Sequence, residues 1–91
     1  MDYCEIVWMN ENNEAIDCQI YEQDVQFPEK LLFTEDTAYI ICTAYTLKDG
    51  MYDSERQLVD VGADDAHVMV YVAGENDVLL QKNIYLEKAV D

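Results

Sequence analysis

The sequence predicts an all-β fold, a small antiparallel β-sandwich or barrel of about six strands. Three observations carry this expectation. Apolar and polar residues alternate over short runs along most of the chain, the period of a strand with one buried face. Clusters of Asn, Asp and Gly separate the runs and turn the chain. The composition is 51% hydrophobic, with seven Tyr, two Phe and one Trp, so a core can close despite a formal charge of −15.

Residues 2–9 place Cys4, Ile6 and Trp8 on one face and Tyr3, Glu5 and Val7 on the other. Asn10 to Glu14 reads as a polar turn, and residues 15–22 then direct Ile16, Cys18 and Ile20 inward, completing a hairpin. A three-residue loop at Asn10-Glu11-Asn12 sets Cys4 opposite Cys18 on one face. Asp24 to Phe33 contains the only proline, Pro28, with Phe27, Leu31 and Leu32. It reads as an irregular crossover, with a short helical turn near residues 28–33 as the alternative.

Thr37 to Leu47 is the strongest strand signal. Tyr39, Ile41, Thr43 and Tyr45 lie on one face and Ala38, Ile40, Cys42 and Ala44 on the other, the pattern of a central strand. Lys48-Asp49-Gly50 turns the chain. Strands follow at Arg56–Val61 and His67–Val72 around Gly62-Ala63-Asp64-Asp65. Ala73 to Asp77 turns again, and Val78 to Leu86 forms the last strand with Val78, Leu80, Ile84 and Leu86 facing in.

Ninety-one residues suit one domain over positions 1–91. No apolar run approaches the roughly 20 residues of a membrane helix, and Met1-Asp2-Tyr3-Cys4-Glu5 lacks the basic and apolar regions of a signal peptide. A cytoplasmic location is expected, the host cell cytoplasm for a phage-encoded protein. Cys4, Cys18 and Cys42 are odd in number and lack CxxC spacing, so reduced thiols are expected in place of a disulfide framework.

The charge is uneven. Residues 1–29 hold eight acids and no Lys or Arg, while residues 30–91 hold twelve acids and all five basic residues. Such a field repels nucleic acid and anionic membrane and attracts basic surfaces. Strand residues i and i+2 point the same way about 6.6 Å apart, and a DNA strand presents a phosphate every ~3.4 Å of helix axis, so a carboxylate row can match alternate phosphates axially. Glu5, Glu11, Glu14, Asp17, Glu22 and Asp24 of the basic-free hairpin are candidates for partner binding, followed by Asp49, Asp53, Asp60, Asp64 and Asp65; Glu55 extends that second group.

The expected function is that of a small acidic inhibitor blocking the basic nucleic-acid-binding groove of a partner enzyme by mimicry. Small acidic phage inhibitors of restriction and CRISPR enzymes share this physical class, without a shared motif. The alternative is an immunity protein, antitoxin or assembly adaptor whose basic partner binds no nucleic acid. That alternative calls for an aromatic anchor within a charged rim, with Trp8, Tyr21, Tyr45 and Tyr52 as candidates. Either a monomer or a homodimer is compatible with uncovered strand edges.

No enzyme and no cofactor is expected. The acidic turns do not match an EF-hand loop, and Cys4, Cys18, Cys42 and His67 lack paired zinc-ligand spacing. Ser54, the three cysteines and His67 lie in no nucleophile motif, and Gly50, Gly62 and Gly74 stand singly in separate turns.

Overall fold

The computed structural model describes residues 2–22 and 28–89. They form seven strands: β1 (Tyr3–Met9), β2 (Ala15–Glu22), β3 (Lys30–Phe33), β4 (Tyr39–Lys48), β5 (Met51–Asp60), β6 (Ala66–Ala73) and β7 (Val78–Lys88). A four-stranded sheet of order β2-β1-β4-β5 faces a three-stranded sheet of order β3-β7-β6. This is the expected all-β sandwich, and β4 is internal to its sheet as the periodicity implies. No helix in the described residues is long and apolar enough to cross a membrane.

Alternation along the strands builds the core. Cys4, Ile6, Trp8, Ile40, Cys42, Ala44 and Val59 point from the larger sheet toward Leu31, Phe33, Val70, Val72, Leu80, Ile84 and Leu86 of the smaller one. Side chains also tie the sheets together. The Trp8 indole Nε1 donates to the Leu32 carbonyl at 2.9 Å, joining β1 to β3. Toward the other side, Gln57 Oε1 accepts from the Tyr71 backbone N–H at 2.5 Å, linking edge strands β5 and β6.

The β4–β5 hairpin follows from Asp49-Gly50. Both residues have positive φ, 51° and 80°, and the loop between Lys48 and Met51 holds only these two, as a primed hairpin turn requires. That tight turn carries pairing all the way from Met51, so β5 begins five residues before the strand expected at Arg56.

The seventh strand is β3. Where a crossover or helical turn was expected near residues 28–33, Lys30–Phe33 pair parallel with Tyr85–Lys88 of β7, burying Leu31 and Phe33 and exposing Leu32. Alternation at Leu31 and Phe33 decides for a strand, since a helical turn would not place both in the core. Asp24 and Phe27 lie outside the described residues.

The first hairpin differs in register. Tyr3 pairs with Glu22 and Val7 with Cys18, so Cys4 lies opposite Tyr21 and on the other face from Cys18. Asn10 Oδ1 accepts from the N–H groups of Asn12 and Glu14, and Asn10 N donates to Glu14 O, closing the loop at Glu14. A shift in pairing after Trp8 makes the total displacement odd, and an odd slip turns every side chain to the opposite face. Cys18 and Ile20 are consequently exposed rather than inward, and Ile16, left without a register partner at the pairing shift, is exposed as well. At the far end of β7, Val78 is also exposed, while Leu80, Ile84 and Leu86 are buried as expected.

Candidate functional site

The strands distribute the hairpin acids instead of aligning them. Glu5 and Glu22 point away from the core, Asp17 shares the core-facing side of its sheet with Trp8, and Glu11 and Glu14 sit in the turn. Asp49 occupies the β4–β5 turn and Asp60 ends β5 opposite Tyr39 on the outer face. Asp64 lies in the β5–β6 connection.

Asp65, next to Asp64, has a structural role. Its carboxylate accepts from Lys88 N at 2.7 Å and from the Tyr85 hydroxyl at 3.0 Å, holding the start of β6 to the end of β7. The Lys88 N–H bond, and secondarily the Tyr85 hydroxyl, hold the Asp65 carboxyl below its ordinary pKa, while the same bond raises Tyr85.

Acids gather at one end of the sandwich. Asp53 and Glu55 pair with Thr46 and Ala44, so they share the core-facing side of the larger sheet. There the β6–β7 turn brings up Glu75 and Asp77. These four acids, with Thr46, Lys48, Gly74, Asn76 and Leu79, line a depression of about 280 Å³. Lys48 Nζ lies 3.6 Å from Asp53 Oδ2 and is the only cation among the lining residues. The turn is closed by Gly74 N donating to Asp77 O at 2.6 Å. It also packs tightly, since a Cβ on Gly74 would stand 3.1 Å from Leu79 Cγ. Glu75 and Asp77 were not among the sequence candidates. The signal available for them was their i, i+2 spacing in a turn, matched by Asp53 and Glu55 at the same spacing on a strand.

No protein-family model, curated protein or solved structure matches the chain. Its chemistry therefore rests on its own residues. Among the described residues no three His, Cys, Asp or Glu side chains are arranged to hold a metal ion. His67 is exposed and lies against Tyr85, ring centres 4.8 Å apart. Cys4 and Cys42 are buried, and burial pushes their thiols up to about 12 and about 11, which suppresses the nucleophilic thiolate. Cys18 is exposed, with its thiol raised by desolvation and then by Glu5 and Asp17.

The second prominent surface is the outer face of the larger sheet. Tyr3 and Tyr45 stack at 4.6 Å with an interplanar angle of 13°. Tyr52 meets Tyr3 edge-on at 5.5 Å. Of the aromatic anchor candidates, Tyr45 and Tyr52 are therefore on this face; Trp8 is in the core and Tyr21 packs against it.

Proposed function

We propose that the protein acts by binding a basic partner protein at the acid-lined end of the sandwich, and inhibits it where that basic surface is a nucleic-acid-binding groove. One observation carries the reading: Asp53, Glu55, Glu75 and Asp77 line one depression against a single lysine, in a chain of formal charge −15. A strand and a tight turn fix the backbone that carries the four carboxylates, so binding there orders exposed side chains without ordering a loop. Asp53 and Glu55, about 6.6 Å apart along β5, match the rise along the helix axis between alternate phosphates of a DNA strand. The remaining acids, including those of the first hairpin, contribute the long-range field that accelerates encounter.

The outer-face tyrosines favour a second reading, in which the basic partner binds no nucleic acid and the chain is an immunity protein, antitoxin or adaptor. An aromatic cluster beside apolar strands is the anchor that a protein interface needs and a nucleic-acid mimic does not. Capture of partners from a bacterial lysate at low and high salt, repeated with excess duplex DNA, separates the two. Nucleic-acid enzymes retained at low salt and displaced by DNA support inhibition by mimicry. A specific basic partner indifferent to DNA supports the second reading, and absence of any basic partner at low salt refutes both.

A further inference from the structure

We propose that the outer face of the four-stranded sheet is the interface of a homodimer, with Glu5 of each copy paired to Arg56 of the other. Strand register lays this face out in rows. Cys18, Val7, Ile41 and Leu58 form one unbroken apolar row across β2, β1, β4 and β5. The next row is Ile20, Glu5, Thr43 and Arg56, and the next is Glu22, Tyr3, Tyr45 and Ser54. No described element covers these rows: Ile20 is 58% exposed, Leu58 55% and Tyr52 54%. An antiparallel sheet with one solvated face ordinarily makes that face polar, and a contiguous apolar patch marks an interaction surface. The flipped register of β2 adds Cys18 and Ile20 to it, two apolar side chains that the hairpin exposes at a cost in solvation.

The charges on the face select the occupant. Arg56 is the only arginine in the chain, and none of the described carboxylates lies within ion-pair distance of it. Arg56 and Glu5 flank Thr43, one strand to either side, with Thr43 sunk between them at 8% exposure. A two-fold axis running along β4 over Thr43 exchanges those two positions. It sets the second copy's Glu5 over Arg56 and its Val7 over Leu58, with Ile41 and Tyr45 each meeting their own counterpart. Stacked sheets lie about 10 Å apart, a gap that Glu and Arg side chains span together. This occupant competes with the reading that makes the outer-face tyrosines an anchor for a basic partner: a uniformly basic surface would face Arg56 with like charge, whereas a second copy satisfies both signs in one isologous contact.

That axis lays β1, β4 and β5 of one copy over β5, β4 and β1 of the other and leaves β2 at the margin. Three strands about 4.8 Å apart and about eight residues long at ~3.3 Å each give a planar footprint of about 380 Å² per copy, or about 760 Å² for the two, the size of a weak, reversible interface. Each copy carries −15, so long-range repulsion opposes association and salt, by screening it, favours the dimer. An axis parallel to the strands also leaves both acid-lined depressions at the same end of the assembly.

Sedimentation of the full chain from micromolar to millimolar concentration, at low and high salt, tests this, with circular dichroism confirming the fold of each variant. The wild type is expected to dimerise more tightly as salt rises. Glu5→Arg and Arg56→Glu should each weaken self-association by at least about tenfold, because each places like charges across the axis. Mixing the two variants should restore a dimer, since one then supplies Arg at both positions and the other Glu at both. A wild type that stays monomeric throughout, single variants that dimerise undiminished, or folded monomeric variants that fail to associate on mixing would each overturn the proposal.

Discussion

Replacing Trp8 with Phe tests the principal side-chain link between the two sheets near β3. Trp8 is 6% exposed, and its indole N–H reaches the Leu32 carbonyl at 2.9 Å. Phe keeps the ring at the core and loses the donor, leaving a partly buried carbonyl unpaired at a cost of about 1–2 kcal/mol. The smaller ring gives up two buried carbons, or roughly 1.6 kcal/mol at ~0.8 kcal/mol each. The expected loss is therefore about 2.5–3.5 kcal/mol, a large share of the roughly 5–14 kcal/mol typical of a domain this size. Urea unfolding followed by far-ultraviolet circular dichroism should show a lower midpoint with an unchanged m-value. A thermal midpoint at least ~10 °C lower should accompany it. A loss below about 1 kcal/mol would refute the assignment of Trp8 as a bridge between the sheets.

Four further outcomes are expected. In the native protein at pH 8 a thiol-alkylating reagent should modify Cys18 alone, and in denaturant all three cysteines; mass spectrometry counts the adducts, and rapid native modification of Cys4 or Cys42 would contradict their burial. Because both buried thiols are raised from an ordinary value of 9.0, the native state retains their protons longer than the unfolded chain. Their contribution is fully present below pH 9.0 and declines as pH rises toward about 11 to 12, which alkaline unfolding curves of Cys42→Ala should show in reduced form. For Asp65, whose folded pKa is lowered, stability is present above the ordinary value of 3.8 and lost as pH falls through the lowered one. Asp65→Asn should thus lower the melting temperature at neutral pH and flatten its acid dependence, and an unchanged acid limb would exclude the Lys88 and Tyr85 bonds as the cause. Gly50→Ala should cost about 1 kcal/mol through the backbone. Its φ is 80° and nothing lies within 4 Å of the added Cβ, so an equally stable variant would contradict the primed turn.

Alternation in β1 and β4 was legible because both faces of those strands carry consistent residue sets, and Cys4, Ile6, Trp8, Ile40, Cys42 and Ala44 are indeed core. The β2 register was not legible, because it depends on where the Asn10 side chain closes the loop and on the pairing shift after Trp8, neither of which leaves a mark on hydrophobic period. β3 was hidden by its length of four residues and by a parallel partner more than fifty positions away. The charge imbalance was visible at once, yet its focus was not. Glu75 and Asp77 join Asp53 and Glu55 only through the packing of one sheet against the other. The outer-face row from Cys18 to Leu58 likewise exists only once four strands are in register.

The most direct test of the acidic end compares partner capture by the wild type and by D53N/E55Q/E75Q/D77N at low salt, beside the hairpin variant E11K/E14K/E22K. All three should fold alike, since the substituted acids are on the surface and exposed pairs such as Lys48–Asp53 contribute only ~0–1 kcal/mol. Loss of the basic partner by the end variant, with a weaker reduction for the hairpin variant, is the predicted result. Full capture by a folded end variant would contradict the account and move the binding surface away from this depression.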